Sequence, residues 1–197
     1  VTEFTTIEHP SGHLTILPCT GEPPERNGAR FRDEARWYVP YTAVHAETVA
    51  GAPRLATWID VSNHPHAYWY ALRNIWAEGK TFAILEHDIV CRPDVVEAFE
   101  VCPEPWCVFK RDDYCHPECQ EAWANQLSLT RFRADLIEAV PDALSSIPEA
   151  DRDWHNLCDR IGERLRAADF THHWHGPEVH HHRMGRNGAK EEHVSSI

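Results

Sequence analysis

"RLATWIDVSNHPHAYWYALRNIWAEGKTFAILEHD", residues 54–88, decides the fold. It opens on a β-prone run, Arg54 to Ile59, and closes on a second, Thr81 to Leu85. Between them Tyr68, Ala71, Leu72, Ile75 and Trp76 recur at helical spacing within residues 66–78, and Gly79 supplies a stop. Strand, helix, strand in that order predicts a parallel pair with a crossover helix. The second run is apolar throughout, which predicts burial on both faces of a sheet. It leads directly into Glu86-His87-Asp88. Acidic side chains at the end of a buried strand are costly unless something pairs with them or is bound by them.

Working outward, Leu14–Leu17 reads as a strand that ends at Pro18-Cys19-Thr20-Gly21, followed by a polar, arginine-bearing loop. Residues 32–50 read as helical at both ends, with Pro40 bending the middle. Downstream, a short helix is expected over 94–100, a strand at Trp106–Phe109, a polar excursion over 112–126, a fifth strand at Leu127–Thr130 and a helix over 131–140. Residues 151–168 carry apolar side chains at 154, 157, 158, 161 and 165, an amphipathic helix with Asp151 as N-cap. The fold class is therefore α/β, Rossmann-like, with a mostly parallel central sheet and flanking helices. Ligands in such sheets sit at the carboxyl ends of the strands. Three polar clusters lie there: Pro18–Gly21, Asp60–Asn63 and Glu86–Asp88.

The chain has 197 residues, enough for one domain with a full core. No apolar run reaches the roughly 18–20 residues a membrane span needs. The N-terminal stretch lacks the charged-then-apolar layout of a signal peptide, so a soluble, cytoplasmic location is expected. A net charge of −12 does not steer nucleic acid, although it leaves room for a local basic patch. The seven cysteines are odd in number, which argues against a disulfide framework.

Chemistry concentrates in a few places. Glu86 and Asp88 suit a hard divalent cation, Mg²⁺ or Mn²⁺, which takes a few carboxylates together with phosphate oxygens. The alternative is a helix cap or a salt bridge. Six of the fifteen histidines fall between 172 and 182: His172, His173, His175, His180, His181 and His182. One imidazole from this segment could complete a site begun by Asp88; otherwise it is a solvated loop. Cys102, Cys107, Cys115 and Cys119, spaced C-x4-C-x7-C-x3-C, are candidates for a structural Zn²⁺ or are separate thiols beside a strand. Asp153 and Asp159 lie on the amphipathic helix, as general bases or as part of a solvated face.

Taken in order, TILPCTG, TWIDVSNHP, YWYALRNIWAEGKTFAILEHDIV, WCVFKR, LSLTRFRADLIEAVP, DWHNLCDRI and HWHGPEVHHH resemble small GT-A glycosyltransferases of phage and bacterial type. The resemblance spans roughly residues 12–183. It implies one domain over 1–184, with a nucleotide-binding half at 12–91, an acceptor half at 92–184 and a polar, mobile tail at 185–197. It implies a divalent-cation-dependent enzyme that moves a sugar from a nucleoside-diphosphate donor, with a UDP-sugar favoured. The family's Asp-x-Asp is here Glu86-His87-Asp88, a departure at its first position. Asp88 then becomes the direct metal ligand, and Glu86 faces the ribose or a metal-bound water. A C-terminal histidine is expected to join, His180 first, with His175 and His182 as alternatives. Pro18, Thr20 and Asp60 would frame the nucleoside and Arg30 would meet the diphosphate. Asp153, then Asp159, would be the base of an inverting enzyme. Trp106, Trp123, Trp154 and Trp174 are candidates for stacking on the acceptor. The favoured acceptor by resemblance is a 5-hydroxymethylpyrimidine in phage DNA, which would place the enzyme in the host cytoplasm. It requires a patch from Arg131, Arg133, Arg160, Arg164 and Arg183. A protein or glycan is the alternative acceptor, and a non-enzymatic, zinc-stabilised binding module is the rival class.

Overall fold

The computed structural model describes residues 5–9, 12–17, 35–111 and 127–182. Pro18, Thr20, Arg30, Cys115, Cys119, Trp123, Arg183 and the tail lie outside these residues. Eight strands are described: β1 (Thr5–His9), β2 (Gly12–Leu17), β3 (Arg36–Tyr41), β4 (Thr57–Asp60), β5 (Phe82–Leu85), β6 (Trp106–Arg111), β7 (Leu129–Phe132) and β8 (His173–Val179). They form one sheet in the order β1-β2-β4-β3-β5-β7-β6-β8. The α-helices are α1 (Ala46–Gly51), α2 (Ala67–Ala77), α3 (Pro93–Val101), α4 (Ala134–Ala139) and α5 (Trp154–Ala167).

The α/β class holds, but the sheet is mixed rather than mostly parallel. β4, β3 and β5 run parallel, and β6 and β8 form a second parallel pair. Between these blocks β7 is antiparallel to both β5 and β6, and β2 is antiparallel to β4. A strand buried on both faces is apolar whichever way it runs, so its direction leaves no mark on the pattern.

Residues 36–41 also correct the reading. RWYVPY is a central strand, not a bent helix, and it pairs with both β4 and β5. Its aromatic and β-branched residues fit a buried sheet position. Pro40 falls beyond the last β3–β5 register pair, Tyr38 with Ile84, where the ladder on that side has ended.

The sheet separates two cores. Phe82 and Ile84 of β5 point to the side covered by α2, α4 and α5, where Tyr68, Leu72, Trp76, Leu136, Ile137, Leu157 and Ile161 are buried. Ala83 and Leu85 point to the other side, toward Val95 and Phe99 of α3. This alternation is the period-two geometry of a strand buried on both faces. α2 ends as its sequence predicts: Gly79 has φ 65°, and its N–H bonds the Trp76 carbonyl at 3.0 Å. Trp69 and Trp76 donate their indole N–H groups to the carbonyls of Leu144 (2.9 Å) and Val140 (3.0 Å), tying α2 to the segment after α4.

Gly51, at the end of α1, is needed for a different reason. A Cβ there would run into the backbone carbonyl oxygen of Cys91, which cannot rotate away. Alanine normally favours a helix over glycine by up to about 1 kcal/mol. Gly51→Ala is nevertheless expected to destabilise the protein by roughly 1–3 kcal/mol, the cost of overpacking, in urea unfolding.

Candidate functional site

The parallel strands β4, β3 and β5 finish at the same edge of the sheet. Tyr41 lies opposite Asp60, and Glu86-His87-Asp88 follows β5 directly. Asp60 closes the turn after β4: its Oδ1 accepts the Ser62 N–H (2.9 Å) and hydroxyl (2.6 Å). His45, just past β3, donates its backbone N–H to the His87 carbonyl at 3.1 Å. All three residues of the acidic motif are buried.

Glu86 continues the β5–β7 ladder by donating its N–H to the Ser128 carbonyl (2.8 Å). The Tyr68 hydroxyl reaches Glu86 Oε1 at 3.4 Å. Burial, and then the charge of Asp88, push the Glu86 carboxyl up to about 7; Arg111, Ser128 and His181 oppose that rise. Arg111 at the end of β6 donates to the Ser128 hydroxyl at 3.2 Å.

Asp88 meets the C-terminal histidines. His181 Nε2 lies 3.0 Å from Asp88 Oδ2. The backbone supports this contact, because Val90 N–H bonds the His180 carbonyl and His182 N–H bonds the Asp88 carbonyl, each at 2.9 Å. Ile89 and His181 thus form an antiparallel bridge. Side chains alternate along an extended segment, so His180 and His182 share one side and His181 takes the other. The His180 and His182 rings are 4.6 Å apart, and His182 stacks on His45 at 3.4 Å. Burial and the neighbouring His45 and His180 hold His182 below the ordinary imidazole range.

The structure therefore brings Asp88 together with a histidine from the expected segment, but His181 rather than the favoured His180. A run of three histidines is uniform in composition, and only strand register distinguishes its members. The segment before it is the strand β8, not a loop. His175 lies elsewhere, stacked on Phe109 at 5.1 Å. Asp153, rather than Asp151, caps α5, with its carboxylate accepting the Asn156 backbone N–H (3.2 Å) and side-chain amide (2.5 Å). Trp154 beside it packs on Tyr68 (4.4 Å) and His87 (5.5 Å), so the start of α5 abuts the acidic motif. Asp159 is exposed further along that helix. Trp106 is buried and donates to the Thr130 hydroxyl, which makes it a core residue, whereas Trp174 is exposed.

Four of the five arginines named for a basic patch are described. Arg131 is buried, bonded to the carbonyls of Phe99, Cys102 and Glu104. Arg133 pairs with Asp135, Arg160 with Asp151 and Glu163, and Arg164 donates to the Ser146 carbonyl. Of the four cysteines, Cys102 and Cys107 lie together, their sulfurs 3.1 Å apart.

Could the residues present hold a divalent cation at Asp88? The carboxylate and the imidazole of His181 converge, and burial disfavours the charged form of Glu86 beside them. Among the described residues no third histidine, cysteine or acidic donor comes within 4.8 Å of both Asp88 and His181. Two protein ligands, with remaining positions for water and phosphate oxygens, suit Mg²⁺ or Mn²⁺. No described helix is long and apolar enough to cross a membrane. No family model, curated protein or solved structure matches the chain.

Proposed function

We propose that the protein is a divalent-cation-dependent glycosyltransferase that uses a nucleoside-diphosphate sugar. The observation that carries this reading is the buried Glu86–Asp88 pair past β5, met by His181 from 93 residues away. Asp88 and His181 would hold Mg²⁺ or Mn²⁺, which when bound neutralises the charge of a leaving diphosphate. Glu86, fixed by Tyr68 and Ser128, lines the site as the second acid. Asp60 and Tyr41, at neighbouring strand ends, flank the position expected for the nucleoside. Trp154 covers the motif from the α5 side and is, among the described tryptophans, the candidate to meet an acceptor. Asp153, which precedes Trp154 and caps α5, is the first of the two candidate bases. The pairing of the arginines weakens the case for a DNA acceptor, so a protein or glycan acceptor stands level with hydroxymethylated DNA.

Thermal unfolding with UDP and Mn²⁺, each alone and together, tests the reading. The pair is expected to raise the melting temperature more than either alone. Asp88→Asn is expected to erase that gain and to cut UDP release from a UDP-sugar by on the order of 100-fold or more, comparable to removing one main charge-stabilising group. Offering hydroxymethylated DNA, ordinary DNA, glycans and protein extract in parallel assigns the acceptor. A wild-type protein that neither gains stability from nucleotide and metal nor releases a nucleoside diphosphate from any donor overturns the proposal.

A further inference from the structure

A second cluster of ligands lies on the opposite side of the sheet from α2 and α5. Cys102 ends α3, and His173 and His175 sit on β8. One donor atom from each of the three lies within 4.8 Å of the other two. The register explains why. His173 pairs with Cys107 and His175 with Phe109 along the parallel β6–β8 ladder. Cys107 and Phe109 belong to the core that includes Cys102, so the two histidines project toward it.

The surroundings fix these groups. The His175 ring is held between Phe109, stacked at 5.1 Å, and Phe99, edge-on at 5.7 Å. Its Nε2 is buried with no hydrogen-bond partner in the protein. A buried ring nitrogen left so is uncommon and calls for an explanation. The His173 and His175 rings are 4.7 Å apart. Arg131 binds the Cys102 carbonyl at 3.0 Å and donates to the Cys107 sulfur at 3.2 Å, which fixes the loop carrying Cys102.

We propose that Cys102, His173 and His175 bind one Zn²⁺. One thiolate and two imidazoles are the donor chemistry that Zn²⁺ prefers, with water in a fourth position. Binding transfers the Cys102 thiol proton to solvent. The ion would fasten β8 to the end of α3, and β8 leads into the His180–His182 run. This site differs from the earlier four-cysteine expectation: it shares only Cys102 with it. It does not depend on the glycosyltransferase reading.

Metal analysis of protein prepared without an affinity tag is the test. One equivalent of zinc per chain is expected to survive dialysis. His173→Ala, at an exposed residue, is expected to weaken zinc binding more than about 100-fold, beyond the loss typical of removing a group that merely orients a ligand. Asp88→Asn and His181→Ala are expected to leave the zinc in place, which separates this site from the one past β5. Cobalt added to the metal-free wild-type protein is expected to give a near-ultraviolet thiolate charge-transfer band, absent in Cys102→Ser. Cobalt binding without that band, zinc content unchanged by His173→Ala, or a native Cys102–Cys107 disulfide in the mass spectrum would each overturn the proposal.

Discussion

Glu86→Gln is expected to stabilise the metal-free protein at pH 8 and to do so far less at pH 5. The direction follows from linkage. Glu86 titrates at about 7 in the folded chain against an ordinary 4.5, so the folded state holds its proton more tightly than the unfolded state. Stability is therefore greatest below 4.5, falls as pH rises between 4.5 and about 7, and carries the whole penalty above that. The difference corresponds to about 3 kcal/mol. For a chain of this size that is a melting-temperature difference of roughly 6–12 °C. The groups around the carboxyl are Asp88, Arg111, Ser128, His181, Tyr68 and Cys158; burial and Asp88 raise it, and Arg111, Ser128 and His181 lower it. Thermal melts in EDTA at the two pH values measure the effect. A Glu86→Gln difference of the same size at both pH values contradicts it. Mn²⁺ should reduce the penalty in the wild type, because a cation beside Asp88 favours the charged form of both acids.

The second large effect is expected at Arg131, on the other face of the sheet. Its guanidinium is buried, and it satisfies the carbonyls of Phe99, Cys102 and Glu104 where α3 ends. Arg131→Met keeps the apolar stem but leaves these buried acceptors without a donor. Each costs about 1–3 kcal/mol, partly offset because a buried charge is removed. A net loss of about 3 kcal/mol is expected, roughly 6–12 °C in melting temperature. Arg131→Lys should recover little of it, because one ammonium cannot reproduce the planar fork that spans three carbonyls. A near-neutral Arg131→Met would mean that the α3 terminus rearranges freely.

The contrast between these two sites bears on what the chain reveals before folding. The strand–helix–strand unit over 54–88 was legible, because its apolar spacing switches period and Gly79 marks the boundary. The acidic motif could be placed at a strand end for the same reason. Four things were not legible. Residues 36–41 contain a proline inside a central strand, which local preference argues against and the end of the β3–β5 ladder permits. The direction of β7 leaves no mark in the four buried residues Leu-Thr-Arg-Phe. Arg131 looked like a surface arginine, because nothing in RFRADL signals that its side chain turns inward to the end of α3. The choice of His181 over His180 depends on a one-residue register that only the bridge to Ile89 sets.

Among the described residues β8 is the last strand of the sheet and pairs with β6. Edge strands open at lower free energy than the strands they flank. The contact between Asp88 and His181 closes a span of 93 residues, and β8 leads directly into it. Transient release of this one strand would separate the carboxylate from its imidazole while β3, β4 and β5 stay paired. Hydrogen exchange at the β8 amides, compared with those of β3 and β5, would measure that release apart from global unfolding.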